Sequence, residues 1–204
     1  MPQANREYIL CQGPLENTVD DFWMMIHQQN SSTVVMLCNC IEMNRDKSWQ
    51  YWPIEVGHTM LLGTHREGVG LEVTMVHTED RGHYIIRTFT LTDTISRVKR
   101  KIKQYHYVDW PDFNVPESPD LFLEFLMEFR KSGCFSESCG PPVVHCSAGI
   151  GRSGTLILVD SSLVLADLGE DLSLRSVVET LLDMRTYRMG LIQTEDSAPW
   201  QKQL

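Results

Sequence analysis

Residues 143–155 constrain this chain more than any other stretch. A short apolar run, Val143-Val144, leads through His145-Cys146-Ser147-Ala148-Gly149-Ile150-Gly151-Arg152 into a helical pattern running from Ser153 to Leu168. Glycines at 149, 151 and 154 let the backbone curl where bulkier residues would resist. A strand end, a curled loop and a helix N-terminus, in that order, allow successive backbone N–H groups to turn inward onto an anion. The helix N-terminus and the Arg152 guanidinium both favour negative charge, and so the thiolate form of Cys146, which is a ready nucleophile. Arg152 can also grip two oxygens of a phosphoryl group through paired charge-assisted hydrogen bonds, which a lysine cannot reproduce. One short segment therefore offers a nucleophile and an oxyanion clamp together.

The rest of the composition frames that segment. With 204 residues, 42% hydrophobic and 22% charged, the chain reads as one soluble globular domain whose core needs neither disulfides nor a structural metal. No stretch reaches the roughly 18 apolar residues of a spanning helix, and Met1 to Leu10 lacks a signal-peptide layout. Six cysteines are sparse for this length and imply a reducing, intracellular (cytoplasmic) compartment. Cys38-x-Cys40 and Cys134-x4-Cys139 lack the paired spacing of a zinc site and read as structural thiols. A net charge of -9 argues against nucleic acid as a partner. The one basic run, Arg97 to Lys103, reads as a solvated strand face.

Periodicity predicts a central, mixed sheet flanked by helices, an α/β (α+β) domain. Tyr8-Ile9-Leu10 is a short strand, and Val19, Phe22, Trp23 and Ile26 fall on one face of a helix that starts near Asn17. Thr33 to Cys38 suits a buried strand, and Leu71–Val76, Tyr84–Leu91 and Val98–Val108 suggest an antiparallel meander, with a turn at Glu79-Asp80-Arg81-Gly82. Ser118-Pro119 caps a helix with Leu121, Phe122, Phe125, Leu126 and Phe129 along its buried stripe. A last helix spans Leu174 to Tyr187 and ends near Gly190.

The Cys-x5-Arg segment resembles the phosphate loop of the tyrosine-specific protein tyrosine phosphatases, and the likeness runs along nearly the whole chain. It includes Gln12-Gly13-Pro14-Leu15, Gln50-Tyr51-Trp52-Pro53, Trp110-Pro111-Asp112-Phe113, Val115-Pro116-Glu117-Ser118-Pro119 and Arg188-Met189-Gly190-Leu191-Ile192-Gln193-Thr194. Within that family it is most similar to the non-receptor group. The resemblance implies one catalytic domain over residues 1–204, no metal or organic cofactor, and phosphotyrosine-containing proteins as substrates. It implies Cys146 as the nucleophile, Arg152 as the phosphoryl clamp and Ser147, Ala148, Gly149, Ile150 and Gly151 as the backbone cradle. Asp112, on a mobile loop begun by Trp110, would be the general acid and then base, with Gln193 positioning water. Ser153 resembles the hydroxyl that bonds the departing thiolate, and His145 the neighbour that tunes it. Glu42 matches the carboxylate that orients the loop arginine, and Lys47 a lysine that meets the lid aspartate.

The pattern departs from the family at both ends. The usual N-terminal segment, with its ring-stacking Asn-x-Tyr tyrosine, has no counterpart, since Asn5-Arg6-Glu7-Tyr8 leads straight into the first strand. Ser197 stands where a second glutamine is expected, and Pro199 argues against a closing helix. A truncated domain is the expectation. Two alternatives stay open: a phosphotyrosine-binding module that has lost turnover, and a shallow-pocket dual-specificity phosphatase, which the Gln-Gly-Pro and Trp-Pro-Asp-Phe neighbourhoods disfavour.

Overall fold

A computed structural model describes residues 4–63, 70–111, 115, 116 and 118–192. In chain order these form β1 (Ile9–Cys11), a 3-10 turn (Glu16–Thr18), α1 (Val19–Gln28), β2 (Thr33–Met36), β3 (Ile41–Glu42), β4 (Arg45–Asp46), β5 (Thr59–Leu62), β6 (Leu71–Asp80), β7 (Tyr84–Asp93), β8 (Lys99–Tyr107), α2 (Pro119–Arg130), β9 (Val143–His145), α3 (Gly151–Asp167) and α4 (Leu174–Tyr187). Seven strands make one mixed sheet in the order β1-β9-β2-β8-β7-β6-β5, and β3 and β4 form a separate hairpin. Pairings among β1, β9, β2 and β8 are parallel, while β8 through β5 are antiparallel. The expected mixed sheet with flanking helices is the observed architecture.

Alternation along the strands sends side chains to opposite faces. On one face, α1 presents Phe22 and Trp23 to Tyr51, with Trp23 edge-on to Phe89 of β7. The Trp23 indole N–H, buried there, donates to the Tyr51 carbonyl at 2.6 Å. On the other face, Phe125 and Phe129 of α2 pack on Tyr84, Tyr105 and Tyr107. Ser118 caps α2 by accepting from the Leu121 N–H, as its position before Pro119 predicts. Asp160 of α3, fully buried, ties that layer together. It accepts from Tyr8 and from Arg130 Nε (2.5 Å), with Arg6 Nε 3.4 Å away.

The structure corrects several expectations. The meander has a fourth strand, β5, and β6 continues through Asp80, so the turn falls at residues 81–83. The β3–β4 hairpin was not anticipated, because two-residue strands carry no periodicity. The basic run is not wholly a solvated face. Arg100 turns its guanidinium onto the C-terminal end of α1, donating to the Ile26 and His27 carbonyls and to Asn30 Oδ1 (2.7 Å). That end of the helix carries unpaired carbonyls and partial negative charge, which a cation satisfies.

Parallel pairing also decides where chemistry can occur. The carboxyl ends of β1, β9, β2 and β8 lie along one sheet edge, so residues 11–13, 37–42, 108–111 and 146–152 converge there. Ligand sites in sheets of this kind gather at that edge.

Candidate active site

β9 ends at His145, and Cys146 lies directly beyond it, 5% exposed, with the Gly149 N–H donating to its Sγ at 3.2 Å. The loop that follows is shaped by its carbonyl groups. The Cys146 carbonyl faces His145 Nδ1 (3.1 Å) and the Ser147 carbonyl accepts from the Gly13 N–H (2.8 Å). Those of Ala148 and Gly149 accept from Arg188, and that of Ile150 from the Gly154 and Ile192 N–H groups. Five consecutive carbonyls are thus drawn outward. In a trans peptide the N–H lies opposite the carbonyl, so the amides of residues 147–151 face inward around Cys146. Gly149 holds φ +70°, and a Cβ there would sit 1.9 Å from the Cys11 carbonyl oxygen. That is where glycine is required in the loop.

Arg152, in the first turn of α3, lies over the same edge. Its Nη1 and Nη2 donate to Glu42 Oε1 and Oε2 at 2.7 and 2.8 Å, and Nη1 also donates to the Leu37 carbonyl at 3.0 Å. The hairpin places Glu42, whose carboxylate accepts in addition from the Asn39 N–H (2.9 Å). Both side chains are about nine-tenths buried, so the fork fixes the guanidinium plane with little solvent screening.

His145 is fully buried, and burial lowers its pKa to about 4, so the ring is neutral near pH 7. Its contact with Cys146 is the hydrogen bond from Nδ1 to the peptide carbonyl, made by an uncharged ring. Ser153 is buried too, but its Oγ has no hydrogen-bond partner among the described residues, so the expected bond to the Cys146 thiol is not formed here. Lys47 follows β4, with its N–H on the Cys40 carbonyl (2.8 Å). Trp110 is buried against Phe122 at a ring separation of 5.1 Å, anchoring the start of the Trp-Pro segment. A cleft of about 790 Å³ opens between that segment and the hairpin, lined in part by Glu42, Met43, Asp109 and Pro111. Asp112 and Gln193, and the departures at Ser197 and Pro199, lie outside the described residues.

Sequence reasoning gave no role to Gly13, Arg188 or Ile192, which hold three stretches of the loop from behind. Arg188 and Ile192 lie in a segment singled out for its resemblance, and only the folded contact tells that they face the loop. All six cysteines are free thiols. Burial raises the thiol pKa of Cys11 to about 12 and that of Cys134 to about 11, which keeps them protonated and inert. No helix among the described residues is long and apolar enough to cross a membrane.

A buried thiol ringed by inward amides, with a fixed guanidinium in the first turn of the helix that follows, is an arrangement suited to binding an oxyanion at the edge of a mixed sheet. The chain belongs to the protein-tyrosine phosphatase family, whose sequence model matches residues 1–198. It is 47% identical over 197 residues to the tyrosine-protein phosphatase non-receptor type 61F of Drosophila melanogaster, covering 96% of this chain and 35% of that protein. With the human non-receptor type 2 enzyme the identity is 45% over 194 residues, 95% of this chain and 45% of the relative. The mouse receptor-type phosphatase F is 39% identical over 189 residues, 93% of this chain and 9% of that protein. The likeness to the non-receptor group agrees with the sequence reading, and the chain spans about a third to a half of the length of the non-receptor relatives.

Proposed function

We propose that this chain hydrolyses phosphotyrosine in proteins through a cysteinyl-phosphate intermediate. The observation that carries the reading is the set of five outward carbonyls, which leaves a ring of amide donors around one thiol. Such a ring matches the equatorial oxygens of a phosphoryl group in transfer and is preorganised, so no donors need to reorient as charge develops. The thiolate of Cys146 attacks phosphorus while the bond to the tyrosyl oxygen breaks, and Asp112 gives its proton to that oxygen. Water then attacks the phosphocysteine, oriented by Gln193 and deprotonated by Asp112, and phosphate and the thiolate leave. Arg152, held by Glu42, pairs with the transferred oxygens throughout. Ser153 rotates its unpartnered hydroxyl toward the departing sulfur. No step in this scheme calls on a metal or organic cofactor.

Phosphotyrosine proteins are the partners this reading implies, and six free thiols fit a reducing intracellular compartment. The test is steady-state hydrolysis of p-nitrophenyl phosphate and a phosphotyrosine peptide, in chelator, by the chain and by Cys146→Ser. Turnover lost only in the variant supports the reading. A folded wild-type chain that binds the phosphopeptide without turning it over would replace it with the binding-module alternative.

A further inference from the structure

Behind the nucleophile runs a buried chain of polar groups that the reaction scheme does not use. Arg87 of β7 and Gln104 of β8 are opposite one another in the antiparallel register. Arg87 Nη1 donates to Gln104 Oε1 at 2.9 Å, which fixes the amide so that Nε2 donates to the Tyr51 hydroxyl at 2.7 Å. The Tyr51 oxygen stands 2.8 Å from His145 Nε2, and His145 Nδ1 stands 3.1 Å from the Cys146 carbonyl. The direction of every link follows. A carbonyl only accepts, so Nδ1 carries the proton and Nε2 is the acceptor, and Tyr51 spends its single proton on Nε2. The second Nη1 hydrogen of Arg87 faces His106 Nδ1 (3.1 Å), and His106 Nε2 meets the Cys38 carbonyl (2.9 Å), one residue beyond the Leu37 carbonyl that holds Arg152. The Arg87 guanidinium is itself seated 4.6 Å over the Trp52 ring. One fixed cation thus heads two relays, ending beside the nucleophile and beside the clamp.

We propose that Arg87 and Gln104 are positioning residues for the thiol, acting through Tyr51 and His145 to hold the Cys146 carbonyl outward and the Ser147 N–H inward. This deepens the phosphatase reading and rests on it for the meaning of kcat, but its principal readout does not need turnover. The discriminating substitution is Gln104→Glu. It keeps the volume and the contact with Arg87, yet its carboxylate accepts from Tyr51 where the amide donated. Tyr51 then turns its one proton away from His145, the imidazole proton moves to Nε2, and a bare Nδ1 faces the Cys146 carbonyl. Gln104→Leu removes the donor without reversing anything, and Tyr51 can still serve His145, while Arg87 loses a buried acceptor.

The relay therefore predicts an inverted order. Gln104→Leu loses more thermal stability, and Gln104→Glu loses more function. For Gln104→Glu, the rate of Cys146 alkylation by iodoacetate near pH 6.5 is expected to fall about 10-fold with its pH profile displaced upward, and kcat on p-nitrophenyl phosphate to fall by a similar factor with KM within about twofold. A wild-type alkylation profile in Gln104→Glu, or losses in both variants that merely track Tm, would overturn the proposal. Should Gln104→Glu not fold, Tyr51→Phe withdraws the same proton without adding charge. It is expected to slow alkylation comparably, and an unchanged rate there is equally decisive against the relay. If the wild-type chain shows no turnover, the phosphatase reading falls, while the alkylation comparison still decides on the relay.

Discussion

Replacing Glu42 by Gln tests the proposed clamp, Arg152, separately from the proposed nucleophile, Cys146. The carboxylate accepts two guanidinium hydrogens, at 2.7 and 2.8 Å, and one from the Asn39 backbone at 2.9 Å, with both partners about nine-tenths buried. An amide keeps one acceptor and sets an NH2 group against an Arg152 nitrogen at the other. The change removes one charge-assisted bond, puts two donors face to face and takes the carboxylate charge away from Arg152 in a partly dry site. Breaking one side of a buried pair typically costs about 3–5 kcal/mol. The lower end applies, because the Leu37 carbonyl still accepts from Arg152. About 3 kcal/mol corresponds to a fall of roughly 100-fold in kcat/KM if it is expressed wholly in the transition state. Expressed in folding instead, it lowers Tm by about 6–12 °C for a chain of this size. The assay is kcat/KM on p-nitrophenyl phosphate beside a thermal melt, with Glu42→Asp as a control that keeps charge but shortens reach. If Glu42→Gln has kcat/KM within threefold of wild type and an unchanged Tm, the fork does not hold the guanidinium and the assignment of Glu42 is wrong.

Two further outcomes follow from the same geometry. Gly149→Ala adds a Cβ 1.9 Å from the Cys11 carbonyl at φ +70°, so a loss of about 2–4 kcal/mol is expected in urea titration, and a variant as stable as wild type would contradict the loop conformation. His145 and His106 are buried and neutral, with pKa values lowered by that burial to about 4 and about 3. The unfolded chain protonates both near 6.5 while the folded chain does not, so their contribution is complete above about pH 6.5 and is lost as pH falls toward 4 for His145 and toward 3 for His106. Stability at pH 5 should lie below that at pH 7 by about 2 kcal/mol for each ring. A flat urea midpoint between those values would mean that the rings are not held neutral.

What the sequence made legible was local. The curl at residues 146–152, the Ser118 cap and the α1 and α2 stripes are written within a few residues, where capping chemistry and helical period act directly. Glu42 entered only through resemblance, since an acidic residue in a two-residue strand carries no periodic signal. Arg188, Gly13, Gln104 and Arg87 were given no role for another reason. Gly13, Gln104 and Arg87 act across or beside strand pairings and Arg188 reaches the loop from the end of α4, so each meets distant segments only in the fold, and alone each reads as an ordinary polar or turn residue. Even the order of the strands was out of reach, because period-2 alternation reveals that a strand exists but not which strand it joins.

That strand order has a kinetic consequence. β9 lies between β1 and β2, so Val143 is joined both to Ile9 and to Val34, and the cradle around Cys146 exists only after the chain has closed loops spanning most of its length. Helical segments can form within microseconds, but such long-range parallel registry is slow. On refolding, far-UV ellipticity should therefore recover before Cys146 regains its native alkylation rate. Simultaneous recovery of both would mean that the cradle is shaped locally and not by the sheet. Until β1 and β2 are both seated against β9, the proposed nucleophile and the proposed clamp are two unrelated residues six positions apart in the chain.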